Sequence, residues 1–240
     1  MPEGGLDPAA LVELKPGNHG DWPAVLAFAI CLAVRRRCVG QSPGNAADTA
    51  VLRPVLWCAT PAAVTEHGRL YGRGLSALGL VPDALILAEA PREIDALWVL
   101  EEGLRSGCLS LAAAPLKEVG LTPARRLALA AAAGGAACVL LTLPGGAPTL
   151  AASLRLRVRR RASAVHPLEP RAPGGRSFQV AIERCRGVPT AVETSPFDLE
   201  WCDVTYRFRL VSGLAQGASR SAEAGQRASV CAVRPRRCGA

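Results

Sequence analysis

Aromatic residues make up only 4% of this 240-residue chain, and there are two lysines, Lys15 and Lys117, and three histidines. With so few rings, the core must be built from Ala, Leu and Val, which suits closely packed helices on a buried sheet. None of the nine cysteines forms a C-x-x-C pair. A structural zinc site needs its ligands clustered at short spacing, so a metal centre is not expected. No G-x-S-x-G and no Cys/His arrangement is present. Met1 is followed by Pro2, Glu3 and Gly4, not by a basic and then apolar start, so no signal peptide is expected. The odd cysteine count then points to a reduced, cytoplasmic setting. The run from Ala24 to Val34 is too short to span a bilayer. That from Leu127 to Leu143 is split by Gly134-Gly135 into a helix and a strand.

The chain is rich in apolar residues (50%) and basic, with a net charge of +8. That content excludes a wholly disordered chain. The charge is uneven: residues 1–150 carry 12 Lys and Arg against 13 Asp and Glu, and the remainder 16 against 7. A near-neutral body with a basic C-terminal part suits contact with nucleic acid or an acidic protein. A GC-rich genome, which enriches Arg, Ala, Gly and Pro together, would give the same excess.

Short apolar runs alternate with helical patterns. Leu11 to Leu14 is followed by the turn-rich Lys15 to Asp21, then a helix from about Trp22 to Arg37, with Asp21 placed to cap it and Pro23 in its first turn. After a polar loop, Gly40 to Asp48, buried strands are expected at Val51 to Ala59, with Pro54 suited to its start, and at Ala84 to Ala88, Leu109 to Ala114 and Ala137 to Leu143. Helices are expected over 61–79, interrupted by glycines, over Glu93 to Ser106, and over Thr122 to Ala133 with Thr122 as N-cap. Uniformly apolar strands alternating with helices indicate a mostly parallel α/β sheet covered on both faces. Leu154 to Arg159 alternates strictly, as a half-exposed strand does. Further strands are expected at Phe178 to Arg186 and Phe197 to Val211, the second bent or a hairpin around Cys202-Asp203. The division expected is a core over 1–165, a linker over 166–176, C-terminal strands over 177–211 completing or extending the core, and a flexible basic tail over 212–240 bearing Arg220, Arg227, Arg234, Arg236 and Arg237.

The stretch 69–113 resembles the RecA family. More closely, it resembles the ImuA proteins, RecA-like accessory factors of inducible mutagenesis. The residues that carry the resemblance are Arg69-Leu70-Tyr71-Gly72, Leu78-Gly79-Leu80, Asp95-Ala96-Leu97-Trp98, Glu101 to Arg105, Leu121 to Leu127, and later Leu199-Glu200-Trp201. In order and spacing it covers about residues 9–211. It implies a RecA-like sheet and a role in damage-induced translesion DNA synthesis (SOS mutagenesis). The partners implied are RecA, an ImuB-type Y-family polymerase homologue and an error-prone C-family DNA polymerase. The division inhibitor SulA, a degenerate RecA-like relative, is the alternative, and a divergent RecA-like ATPase a third reading.

A RecA-type ATPase needs G-x-x-x-x-G-K-[ST] after its first strand, where backbone N–H groups and the lysine hold phosphates and the hydroxyl holds Mg²⁺. The loop here keeps Gly17 and Gly20 but has Asp21 and Trp22 in place of Lys and Ser/Thr. The strand Leu109 to Ala114 ends without a carboxylate, and Glu118 lies too far along to replace one. A pseudo-ATPase without cofactor, acting by binding partners, is therefore expected. Arg155, Arg157, Arg159, Arg160 and Arg161 form a basic stretch, the first three on one face of a strand. Arginine there suits single-stranded DNA or an acidic partner; an edge strand charged against aggregation is the alternative. His19, His67 and His166 read as isolated, Glu101-Glu102 as a solvated helix face, and Cys58 as a buried thiol.

Overall fold

The structure, a computed structural model, describes residues 9–38, 53–163, 166, 169, 171–172, 174–186 and 195–211. The loop expected at Gly40 to Asp48 and the tail from 212 onward lie outside them, as does much of the expected linker. Among the described residues nine strands form one sheet: β1 (Leu11–Pro16), β2 (Val55–Ala59), β3 (Leu85–Glu89), β4 (Leu111–Leu116), β5 (Ala137–Thr142), β6 (Leu154–Arg160), β7 (Ser177–Cys185), β8 (Phe197–Cys202) and β9 (Arg207–Leu210). Their order is β3-β2-β4-β5-β1-β6-β7-β8-β9. The pairs from β3 through β6 are parallel and those from β6 to β9 antiparallel. This is the α/β architecture that the resemblance implies. The β8–β9 hairpin turns through Asp203 to Tyr206, next to the expected bend.

Among the described residues five α-helices lie between the parallel strands: α1 (Trp22–Cys38), α2 (Pro61–His67), α3 (Gly72–Leu78), α4 (Glu93–Arg105) and α5 (Leu121–Gly134). Alternate strand residues feed two cores. On one face, Val12, Leu14, Val139, Leu156, Val158 and Val180 pack with Val25, Phe28 and Ile30 of α1. On the other, Leu11, Leu56, Ala112, Cys138 and Leu140 pack with Leu100 and Leu104 of α4 and Leu127 of α5. Among the described residues, no helix is long and apolar enough to cross a membrane.

Several expectations change. The run ending at Ala88 is a strand, but it is not buried. As the last strand of the sheet it leaves Ile86 46% and Leu87 61% exposed. The glycine-interrupted pattern over 61–79 is two helices, broken between Gly68 and Tyr71. Pro54 precedes β2, its carbonyl accepting from Ser110 N (2.9 Å). Gly120, not Thr122, is the N-cap of α5. The arginine-rich strand β6 is no edge: β1 pairs with one side of it and β7 with the other, which overturns the charged-edge reading.

Candidate functional site

The loop between β1 and α1 is held from within. Asp21 is 1% exposed. Its carboxylate accepts from Asn18 N and from Arg160 N, both at 3.1 Å, and so ties the loop to the end of β6 instead of capping α1 amides. The Arg160 guanidinium lies 3.8 Å from the same carboxylate. Gly17 N donates to the Val158 carbonyl at 3.2 Å. Arg159 crosses directly over Gly17, where a Cβ would meet its side chain at 2.5 Å. A carboxylate thus sits at the positive end of α1, where the helix dipole favours an anion. Pro23, the second residue of the helix, has no N–H to offer. A phosphate entering here would meet a negative charge and a reduced set of donors. β4 ends at Leu116 without a carboxylate, and Glu118 beyond it is exposed.

The five arginines are placed differently from one another. Arg155 turns into the sheet and donates from Nε to Glu13 (2.6 Å) and from Nη2 to the Thr149 carbonyl (2.8 Å). Arg157 pairs with Glu183, which Lys15 also approaches (3.9 Å). Arg161 pairs with Asp198 (3.2 Å). Arg160 approaches Asp21 and its side chain is 75% exposed. Arg159 has no carboxylate within ion-pair distance among the described residues. Alternation does put Arg155, Arg157 and Arg159 on one face of β6, but two of the three are neutralised there. A shallow hollow lined by Arg157, Arg159, Gln179, Ala181 and Pro196 lies on this face.

Three features escaped sequence reasoning. Glu13 is fully buried within β1 and accepts from Thr142 Oγ1 (2.6 Å), Thr149 N (3.0 Å) and Arg155. Glu101 is buried between α4 and α5 and bridges Arg105 (2.6 Å) and Arg126 (2.8 Å), so it is not a solvated face. His67 is not isolated: its ring stacks on Trp22 at 4.4 Å, with His19 at 6.4 Å. Burial lowers the His67 pKa from its ordinary value; Glu66 opposes the shift and His19 adds to it. An acidic residue in a strand pattern was the available signal for Glu13, because such a position is buried only with a partner. The Cys58 thiol is buried, and burial raises its pKa to about 11. Among the described residues no group of His, Cys, Asp and Glu could hold a metal ion.

No family model matches the chain. It is 32% identical over 180 residues to the ImuA proteins of two Caulobacter vibrioides strains, NA1000 / CB15N and ATCC 19089 / CIP 103742 / CB 15, covering 68% of this chain and 70% of each relative. Among solved structures, SulA from Pseudomonas aeruginosa is similar over 57% of this chain and 99% of its own, with 22% identity and a TM-score of 0.41.

Proposed function

The chain belongs to the ImuA family, and on that footing we propose that it is a non-catalytic accessory protein of damage-induced translesion DNA synthesis. It binds RecA and components of the error-prone polymerase machinery, an ImuB-type Y-family homologue and a C-family polymerase, and offers them a RecA-like surface. The observation that carries the non-catalytic part is the β1–α1 loop. Asp21 stands where a phosphate-binding lysine belongs, and its carboxylate is already engaged by Asn18 N and Arg160 N. Scaffolding is what remains to a RecA-like sheet that cannot hold Mg-nucleotide.

Titration calorimetry with Mg-ATP at millimolar concentration tests this part, and no saturable heat is expected. Saturable binding would return the chain to the divergent ATPases. The partner assignment is tested by purifying the tagged full chain from cells given DNA damage and identifying what is retained. RecA, the Y-family homologue or the error-prone polymerase is expected. Retention of a division GTPase in their place would favour the SulA-type reading.

A further inference from the structure

Beside the stacked rings of Trp22 and His67 lies a cleft of about 120 Å³ at the carboxyl ends of β2 and β3. Trp22, Leu26, Trp57 and Val64 form its apolar walls, and Leu87, Ala88 and Glu89 of β3 form one side. In open α/β sheets this end of the strands is where ligands are received. Two polar atoms of the lining residues are buried without a hydrogen-bond partner, Trp22 Nε1 and His67 Nε2, the latter 3.7 Å from the Glu66 carboxylate. Trp22 is 6% exposed, and the His67 side chain 9%. Buried groups of this kind are costly unless something answers them. An ion pair, Arg69 with Glu89, lies at the same cleft.

The cleft is continuous with the open edge of the sheet. Ala90 N donates to the Ala59 carbonyl (3.0 Å), so alternation points the backbone groups of Ile86 and Ala88 toward β2 and those of Leu85, Leu87 and Glu89 outward. Among the described residues no strand pairs with that side. β3 contains no proline, and its one charge, Glu89, is paired with Arg69, so Leu85 to Ala88 lacks the usual protections of an exposed edge. Two of its three large side chains, Ile86 on one face and Leu87 on the other, are exposed.

We propose that the β3 edge and this cleft together form a docking site for an extended segment of a partner polypeptide. The segment adds as a new outermost strand, and its residue opposite Leu87 enters the cleft. Main-chain hydrogen bonds supply affinity and the cleft supplies selectivity. The entering side chain carries an oxygen acceptor, as Asn, Gln, Asp or Glu does, because Trp22 Nε1 can only donate. Its neighbours in the segment are apolar, to cover Ile86. A second copy of this chain pairing edge to edge with Leu85 or Leu87 opposite Leu87 would bring no acceptor and would leave Trp22 Nε1 unanswered, and the register that sets Glu89 there would draw Glu89 from its pair with Arg69.

The test selects random nonapeptides displayed on phage against the immobilised full chain, then measures the synthesised peptides by calorimetry and tryptophan fluorescence. It needs no assumption about which protein supplies the segment, so its failure and that of the translesion role are separable. Selected sequences are expected to alternate apolar residues around one acceptor. Leu87→Pro removes an outward N–H at a position where an edge strand tolerates proline. It is expected to weaken binding about tenfold or more, the equivalent of one to two hydrogen bonds. Independently of any change to the protein, N-methylation of one alternate set of peptide amides is expected to abolish binding, and methylation of the other set to preserve it. Three results would overturn the proposal: no peptide selected, peptides indifferent to both changes, or a dimer in sedimentation that excludes the peptide.

Discussion

Glu13 and Arg155 sit opposite each other on neighbouring strands, and their pair closes a polar circuit in the middle of the sheet. The carboxylate, 0% exposed, receives Thr142, Thr149 N and Arg155. The guanidinium, 13% exposed, spends a further N–H on the Thr149 carbonyl. Four elements, β1, β5, β6 and the loop before β6, are joined through one carboxylate. Desolvating two charges offsets much of their attraction, so the intact pair adds little net stability, but removing one partner strands the other. Glu13→Ala is expected to cost about 3–5 kcal/mol in urea unfolding. Glu13→Leu combined with Arg155→Met is expected to recover most of that loss. A double variant no more stable than the single would show that Thr142 and Thr149, not the ion pair, set the cost. This makes Arg155 a part of the core rather than of a binding surface.

At the scale of elements, α4 and α5 run side by side over one face of the sheet and approach closely at Gly134. A Cβ there would overlap the Leu104 carbonyl, and its other neighbour is Gly107. Gly134→Ala raises helix propensity at a half-buried position yet must push the helices apart, so packing decides the sign. A loss of about 1–3 kcal/mol is expected by thermal or urea unfolding; a gain would mean that the α4 end yields freely. Elements of this kind were legible where the sequence is locally consistent. The four apolar runs supply β2 (Val55–Ala59), β3 (Leu85–Glu89), β4 (Leu111–Leu116) and β5 (Ala137–Thr142), and Glu93–Arg105 is a helix. What a run of apolar residues does not carry is its place in the sheet order. Leu85 to Ala88 reads as buried because it is as apolar as Leu111 to Ala114, yet one ends the sheet and the other lies inside it. The opposite error befell β6, whose charges suggest an edge although its neighbours supply the carboxylates. Pairing between distant segments decides both cases.

For the whole molecule, the question is how much of the +8 charge is available to a partner. The sequence placed five arginines in one short stretch but was silent on their counterions, which come from β1, β7, β8 and the β1–α1 loop. Folding therefore converts what looks like a row of free cations into a set of cross-links. Arg155, Arg157 and Arg161 are committed, which leaves Arg159 and the exposed Arg160 to meet an external phosphate. Aromatic rings for base stacking are also absent from this stretch, so any affinity for single-stranded DNA here would be almost wholly ionic. Each phosphate neutralised on a single strand contributes about −0.7 to the slope of log K against log salt. Anisotropy of labelled single-stranded DNA over a salt series should therefore show a slope that Arg159→Ala with Arg160→Ala makes shallower by about 1.4. Replacing Arg157 and Arg161 should leave it nearly unchanged. If all five contacted phosphate, their joint removal would shift the slope by about 3.5, and the internal pairs would have to open on binding. A slope indifferent to Arg159 and Arg160 would instead remove the end of β6 from DNA contact and leave it to protein partners.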